Sequence, residues 1–323
     1  MLKKVLFGLA LASAVVVGVG GVGWTQSSAV KLDGVVVQYP EGYTRVLVAD
    51  LALLLRDETL REGVMGPLGA VRHPLNGIRQ AIELLRLDAQ KLPWVAHGAG
   101  PNLSGFSLIE GAPFEQTFGA LQGLRAAAGA PGSPYKHWEM VEIQGIRVVF
   151  TGGIFGPIPI EWAYIPLATQ LWFGSEIGLG GPPNRDRLRA SAELIIKRLL
   201  EQVGGVTEIA AAKVTHGGSI AFVRRTDPGK DKLMEANEEA MSYAVFFEGE
   251  TIRVRFHIRF LTKEDARSAL INLLEGKSSY LEQDLYRAEL MSISYKIAEH
   301  VLDFEVRTDL RGVVGLLVLT MPS

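Results

Sequence analysis

The chain has 323 residues, of which 48% are hydrophobic and 21% charged, with a formal net charge of -2 and no cysteine. This composition excludes a disordered polymer, and the near-neutral charge argues against general nucleic-acid binding. The missing cysteine excludes disulfides, thiolate nucleophiles, and cysteine-ligated zinc or iron–sulfur sites. The length predicts roughly two domains, each stabilised by packing of its core.

Residues 1–29 have the pattern of an export segment. Lys3 and Lys4 precede an uncharged, mostly apolar run from Val5 to Trp24, and Ser27-x-Ala29 supplies the small residues that a signal peptidase prefers. The run exceeds an ordinary signal core and just reaches the ~20 residues that span a bilayer. Two outcomes are open: cleavage as a signal peptide, or retention as a membrane anchor through residues 5–24. Either way, the remainder is expected to be exported, in the periplasm or outside the cell.

Hydrophobic periodicity and turn residues predict the elements of the first half. In chain order they are strands over Val35–Tyr39 and Tyr43–Ala49, a short helix capped by Asp50 and ending at Arg56, a helix over Ile78–Gln90, strands over Trp94–His97 and Leu103–Ile109, and a helix over Pro113–Ala128. There follow a tight hairpin of Val141–Ile143 and Ile146–Thr151 around Gln144-Gly145, strands over Trp162–Ile165 and Thr169–Phe173, and a long helix from the cap Asn184 to Gln202.

The second half has an order of elements similar to that predicted for Trp94–Gln202. Its predicted elements are strands over Met241–Phe247 and Thr251–Phe260, a helix from Thr262 that ends at Gly276, a hairpin of Ser292–Ile297 and Val301–Arg307, and a helix over Leu310–Leu319. We therefore predict an α+β fold of two antiparallel-sheet units, each with helices packed on one face and related by an internal duplication. The predicted divisions are 1–29, 30–205 and 206–323.

The order of elements from Trp94 to Gln202 resembles exported bacterial proteins of a domain family of unknown function. The residues that carry the resemblance are Gly105, Glu110-Gly111, Phe114 and Tyr135, and the later helix Ala266–Leu274 fits its second half. The resemblance implies an α+β fold and export. It brings no catalytic residues with it.

A row of basic side chains is the most distinctive charge pattern. Arg253, Arg255, His257 and Arg259 alternate along one predicted strand, so they share one face of the sheet. Such a row could bind a phosphate, an acidic polymer or an acidic lipid headgroup. Alternatively, acids of the strand Val301–Arg307 pair with it as a cross-strand ladder on the solvated face.

Two loops are rich in glycine and proline and yet apolar. They cover residues 152–160 and 174–183, and they carry Ile154, Phe155, Ile158, Ile177 and Leu179. If exposed, these side chains would form a contact patch for a partner or a membrane. The alternative is that the loops fold back over a sheet edge and complete the core.

No catalytic, metal or cofactor pattern is found. The six histidines are scattered, without the spacing of a metal site. Ser219 only approaches the pattern of a hydrolase nucleophile, since its motif ends in Ala221 where glycine is required.

We therefore expect a non-enzymatic binding or assembly protein of the cell envelope, with an envelope protein as partner, no cofactor and no nucleic acid. Two other classes stay open: a carrier of a lipid or another apolar ligand, and a hydrolase with a dispersed Ser/His/Asp site. Lack of cysteine and scarcity of asparagine also fit a thermophilic source.

Overall fold

The apolar run Val46–Ala49 forms the strand at which the two halves of the chain meet. Strand β1 (Arg45–Asp50) is buried from its second residue onwards. It pairs antiparallel with β2 (Trp94–Gly100) on one side and with β8 (Ile220–Arg225) on the other. Continuous apolar runs are typical of strands covered on both faces.

In the computed structural model, the described residues are 37, 39–40, 42–65, 74–178, 180–201, 218–225, 237–248, 251–275 and 293–320. The other strands are β3 (Leu103–Glu110), β4 (Tyr135–Ile143), β5 (Ile146–Phe155), β6 (Ile158–Pro166), β7 (Gln170–Ile177), β9 (Glu238–Glu248), β10 (Thr251–Phe260), β11 (Ile293–Ala298) and β12 (Val301–Thr308). All pairs are antiparallel, and the sheet order is β11-β12-β10-β9-β8-β1-β2-β3-β7-β6-β5-β4.

The predicted fold of two separate sheet units with helices on one face is wrong. One twelve-stranded sheet runs through both halves. The physical reason is that β1 hydrogen-bonds along both of its edges, so the sheet of the first half continues into β8 instead of ending. Helices also pack on both faces of this sheet.

One sheet face, named the broad face, is covered by most of the helices. These are α1 (Leu51–Arg56), α2 (Glu58–Met65), α3 (Pro74–Leu84), α4 (Phe114–Ala127), α6 (Lys263–Leu274) and α7 (Leu310–Thr320), with α2 packed on α7. The opposite face carries α5 (Arg185–Glu201) and is named the α5 face. Leu188, Ala192 and Ile195 of α5 lie buried against it, as the 3-4 spacing predicts.

An aromatic row crosses four strands of the broad face. Phe222, Tyr243, Phe256 and Phe304 are directly opposed from β8 to β12, with ring centroids 5.2, 5.7 and 4.6 Å apart. The Tyr243 hydroxyl lies 2.9 Å from Thr320 Oγ1 at the end of α7. Because a one-residue slip would move these rings to the other face, the row fixes the register of the C-terminal half.

Several predicted local features are confirmed. Asp50 caps α1 by accepting a hydrogen bond from the Leu53 amide, and Thr262 caps α6. The hairpin at Gln144-Gly145 has both residues at positive φ, 52° and 84°, which is the geometry of a two-residue turn that matches strand twist.

Other local predictions are wrong. The helix predicted over Ile78–Gln90 begins at Pro74 and ends at Leu84, where Arg86 adopts a positive φ of 52°. Most of the first apolar region predicted as a loop, and the start of the second, are strand, since β5 continues to Phe155, β6 begins at Ile158 and β7 continues to Ile177. Hydrogen bonding to neighbouring strands overrides the local preference of glycine and proline there.

Some predictions fall on residues outside those described. They include the export segment 1–29, Leu179, and the helix end at Gly276. Among the described helices, none has the length and apolar character needed to cross a bilayer.

Candidate functional site

A cleft of about 740 Å³ opens on the α5 face, between the β5–β6 hairpin and the first turn of α5. We name it the α5 cleft. Glu161 and His137 supply its polar groups, and Ile154, Lys136 and Arg185 border it. Proline and glycine form much of the remaining wall, including Pro159, Pro182 and Pro183. The cleft therefore combines an ionic base with an apolar rim.

Glu161 is the buried acid of this cleft, with a side chain only 8% exposed. Its Oε1 accepts hydrogen bonds from Arg185 Nε at 2.9 Å and Nη2 at 2.6 Å. Its Oε2 lies 2.9 Å from His137 Nε2. Both carboxylate oxygens are thus engaged, so Glu161 orients its neighbours at the base of the cleft.

His137 bridges the acid and the guanidinium. Its Nδ1 lies 3.2 Å from Arg185 Nη2, and its Nε2 faces Glu161. Because a guanidinium only donates, Nδ1 must accept, and the proton of the neutral ring is then on Nε2, the nitrogen nearest Glu161. The three side chains therefore form a closed ring of contacts at the base of the cleft.

Gly152 makes room for this ring. A Cβ at this position would collide with the Glu161 carboxylate and with His137 Cε1. The next residue, Gly153, lies against the carbonyl of Pro134, where β4 bulges. Glycine within a strand often marks such a close approach.

A second buried acid lies directly opposite Glu161 on the neighbouring strand. Glu176 of β7 accepts hydrogen bonds from Arg187 Nε at 2.8 Å and Nη2 at 2.5 Å, and from Ser104 Oγ at 2.5 Å. The hydrogen bond to Glu176 raises the pKa of Arg187. Burial raises the pKa of Tyr43, whose hydroxyl donates to the Ser104 carbonyl at 3.0 Å.

The two acids and two arginines anchor the start of α5 on the sheet. Asn184 caps the helix through a 2.9 Å hydrogen bond from the Arg187 amide. The carboxylates of Glu161 and Glu176 meet the arginines of the first helical turn, where negative charge is stabilised by the helix dipole. We name these four side chains the double clamp; it ties the start of α5, which lines one side of the α5 cleft, to β6 and β7.

The residues predicted to form one contact patch are divided between the two faces. Ile154 is 51% exposed and lines the α5 cleft. Phe155, Ile158 and Ile177 are half-buried and, by strand alternation, lie on the broad face. There Phe155 packs edge-on against Trp162, with centroids 5.1 Å apart. The structure therefore brings only Ile154 to the cleft, while Leu179 lies outside the described residues.

The row of Arg253, Arg255, His257 and Arg259 forms the cross-strand ladder of ion pairs, the second of the two interpretations given for it. Arg253 and Arg255 pair with Glu305 at 3.1 and 3.3 Å, and Arg253 also pairs with Glu248. His257 Nδ1 lies 2.7 Å from Asp303, and Arg259 lies 2.8 Å from Glu239. These pairs range from half-buried, as for Arg253 with Glu305, to exposed, and they occupy the groups that an anion would need.

The candidate hydrolase serine does not join a catalytic arrangement. Within the described part of the chain, Ser219 is buried and its backbone bonds Val245 and Asp50, but its hydroxyl meets no histidine or carboxylate. A histidine and a serine do meet at His97 Nδ1 and Ser107 Oγ, 2.9 Å apart. Ser107 is only 3% exposed, so that pair does not present a nucleophile at the surface.

Comparisons with known proteins place the chain in no family. No family model matches it, and no curated protein matches it. Solved structures of TP0453 match with TM-scores of 0.48 (crystal form I, 8% identity, 90% of this chain and 100% of that chain), 0.47 (form IV, 10%, 85% and 93%) and 0.45 (form III, 8%, 88% and 98%). Likenesses this distant carry no argument about the function of this chain.

Proposed function

We propose that this chain is an exported, non-enzymatic binding or assembly protein of the cell envelope, and that the α5 cleft is where it contacts its partner. The observation that carries the proposal is the base of the cleft. Glu161, His137 and Arg185 contact one another there and hold each other in place, so the site is preorganised for contact.

The rim of the cleft has the composition of a protein contact surface. Ile154 is exposed, and prolines offer rigid apolar area beside it. Lys136, Arg185 and Asp186 add charges of both signs around this apolar patch. Protein interfaces likewise combine apolar contact area with charged and polar groups. This arrangement supports a polypeptide partner over a lipid.

Export is supported by the basic start and apolar run of residues 3–24. Mass spectrometry of the N-terminus, on full-length chain recovered from fractionated cells, tests it. We expect Val30 as the first residue after cleavage, or an intact N-terminus in the membrane fraction if the run is an anchor. An intact N-terminus in the cytoplasmic fraction would contradict export.

Binding at the cleft is tested by purifying the full-length chain from native envelope extracts and quantifying what accompanies it. Ile154→Asp places an unpaired charge on the rim, and we expect it to reduce the main partner at least tenfold. Ile271→Asp is the matched control, because Ile271 is 54% exposed on α6 in the other half of the chain. Equal recovery with Ile154→Asp would remove the cleft from the proposal, and recovery of no specific partner would remove the binding role.

A further inference from the structure

Strand β4 is one end of the twelve-stranded sheet, and part of its backbone faces outward. Because the turn has two residues, Ile143 and Ile146 form the closing pair of the β4–β5 hairpin. In such a pair, the amide of each residue donates to the carbonyl of the other. Alternation along the ladder then directs the amides and carbonyls of Trp138, Met140 and Glu142 away from β5.

No described residue satisfies these outward groups. The backbone bonds that close the edge lie at its start, where the Gly129 amide donates to the Tyr135 carbonyl at 3.1 Å. Beyond that point, Met140 is 43% exposed and Glu142 is exposed. The edge therefore offers a run of backbone donors and acceptors that another strand could pair with.

We propose that the β4 edges of two copies of this chain pair antiparallel around a two-fold axis at Met140. In this register Met140 of one protomer lies opposite Met140 of the other. Trp138 of each protomer lies opposite Glu142 of its partner. All three outward residues are then paired in both copies. Centring the axis on Glu139 would place two carboxylates opposite each other and leave Glu142 outside the ladder. Centring it on Val141 would leave Trp138 unpaired.

Charge complementarity supports the same register. The Arg125 guanidinium of α4 lies over the Trp138 ring, 5.4 Å from its centroid. Among the described residues, neither Arg125 nor Glu142 has an ion-pair partner, and Arg147, opposite Glu142 on β5, lies over the Phe118 ring instead. Because Glu142 of one copy would lie opposite Trp138 of the other, it would reach Arg125 there. Two ion pairs would thus flank the central Met140 contact, related by the two-fold axis.

The edge is also protected against indiscriminate pairing. A bulge between Tyr135 and His137 and the bond to Gly129 end the regular edge on one side, and the hairpin turn ends it on the other. Charged residues on an edge strand disfavour most registers. Here they favour the one in which Glu142 meets Arg125. An interface this narrow predicts a weak, concentration-dependent dimer.

Disulfide crosslinking tests the dimer, because the full-length chain has no cysteine of its own. Directly opposed residues of a hydrogen-bonded pair have Cα atoms about 5.5 Å apart, within disulfide range. We expect full-length Met140→Cys to form a covalent dimer on mild oxidation. Tyr295→Cys is the matched control, since Tyr295 is 51% exposed on β11 at the opposite end of the sheet. Crosslinking of Met140→Cys no greater than that of Tyr295→Cys would overturn the proposal.

Charge exchange in the Met140→Cys background tests the register. Glu142→Arg and Arg125→Glu should each lower the crosslinking yield at least fivefold, because each places like charges together. Combining both substitutions should restore the yield. Unfolding temperatures near that of the parent would show that the single variants fold. If the combined variant stays as low as the single ones, the register around Met140 is wrong. Ile154→Asp should leave the yield unchanged, which separates this dimer from binding at the α5 cleft.

Discussion

The carboxylate of Glu161 and the guanidinium of Arg185 meet through two hydrogen bonds of 2.9 and 2.6 Å, although their side chains differ greatly in exposure, at 8% and 65%. The acid is embedded in the sheet, while the arginine covers it from the start of α5. Removing either partner therefore has different consequences: loss of the arginine uncovers a buried charge, and loss of the acid frees an exposed one.

Glu161→Gln is expected to lower the free energy of unfolding by about 1–2 kcal/mol. This is less than the usual cost of breaking a fully buried ion pair, because Arg185 is largely exposed. The amide keeps the shape of the side chain but loses the charge and one acceptor. Chemical denaturation checks the value. Glu139→Gln is the control, because Glu139 is exposed on β4 and has no ion pair within the described residues. A loss as large in Glu139→Gln would show that the ring contributes nothing specific.

Gly152→Ala should be strongly destabilising, since its Cβ would collide with both Glu161 and His137. We expect a cost of about 1–3 kcal/mol from this overpacking. Gly123→Ala is the matched comparison in helix α4, where nothing lies within 4 Å of the added carbon. It should stabilise by about 0.5–1 kcal/mol through helix propensity. The opposite order of the two variants in thermal unfolding would contradict this account of the ring.

Most strands and helices could be predicted from periodicity, because their apolar faces are local properties of the sequence. Thr251–Phe260 alternates without error, and it forms β10 with the predicted ladder on its polar side. The joining of the two halves could not be predicted in this way. The second partner of β1 is β8, about 170 residues away. The only local indication of this pairing was the continuous apolar run of β1, which is typical of a strand inside a sheet.

The candidate site was missed for a similar reason. Glu161 and Glu176 are separated in sequence and become neighbours only through the β6–β7 register. Two features of the sequence pointed to the site. Gly152 and Gly153 interrupt an otherwise strand-like run. Arg185 stands in the first turn of a helix, where acidic residues are more usual. Both mark places where tertiary contacts overrule local preference.

Asp265 should titrate below its ordinary value of 3.8, because its carboxylate accepts hydrogen bonds from the side chains of Thr262 and Asn237, which lower its pKa. A lowered pKa in the folded state gives stability that is present above the unfolded pKa and is lost as the pH falls through the folded one. Carboxyl NMR titration checks the value. Thr262→Ala should raise the pKa towards 3.8. An unchanged pKa in this variant would show that the cap hydroxyl is not responsible.

Stability should fall steeply at alkaline pH because four tyrosines are buried. Burial raises the pKa of Tyr39, Tyr43, Tyr164 and Tyr243 above the ordinary value of 10.0. Above pH 10 the unfolded chain loses these protons and the folded chain keeps them, so each group lowers the free energy of unfolding by about 1.4 kcal/mol per pH unit.

Denaturant midpoints measured between neutral pH and pH 11, with tyrosinate absorbance recorded alongside, check this alkaline loss. Tyr164→Phe should make the free energy of unfolding fall less steeply with pH, by the contribution of one titrating group. The substitution should otherwise be mild, because no described residue hydrogen-bonds the Tyr164 hydroxyl and the ring stays stacked on Phe173. The buried tyrosines should ionise only as the chain unfolds. Ionisation of all eight tyrosines in the folded protein near pH 10, with no change in stability, would show that these hydroxyls are reached by water and that the core around them is not closed.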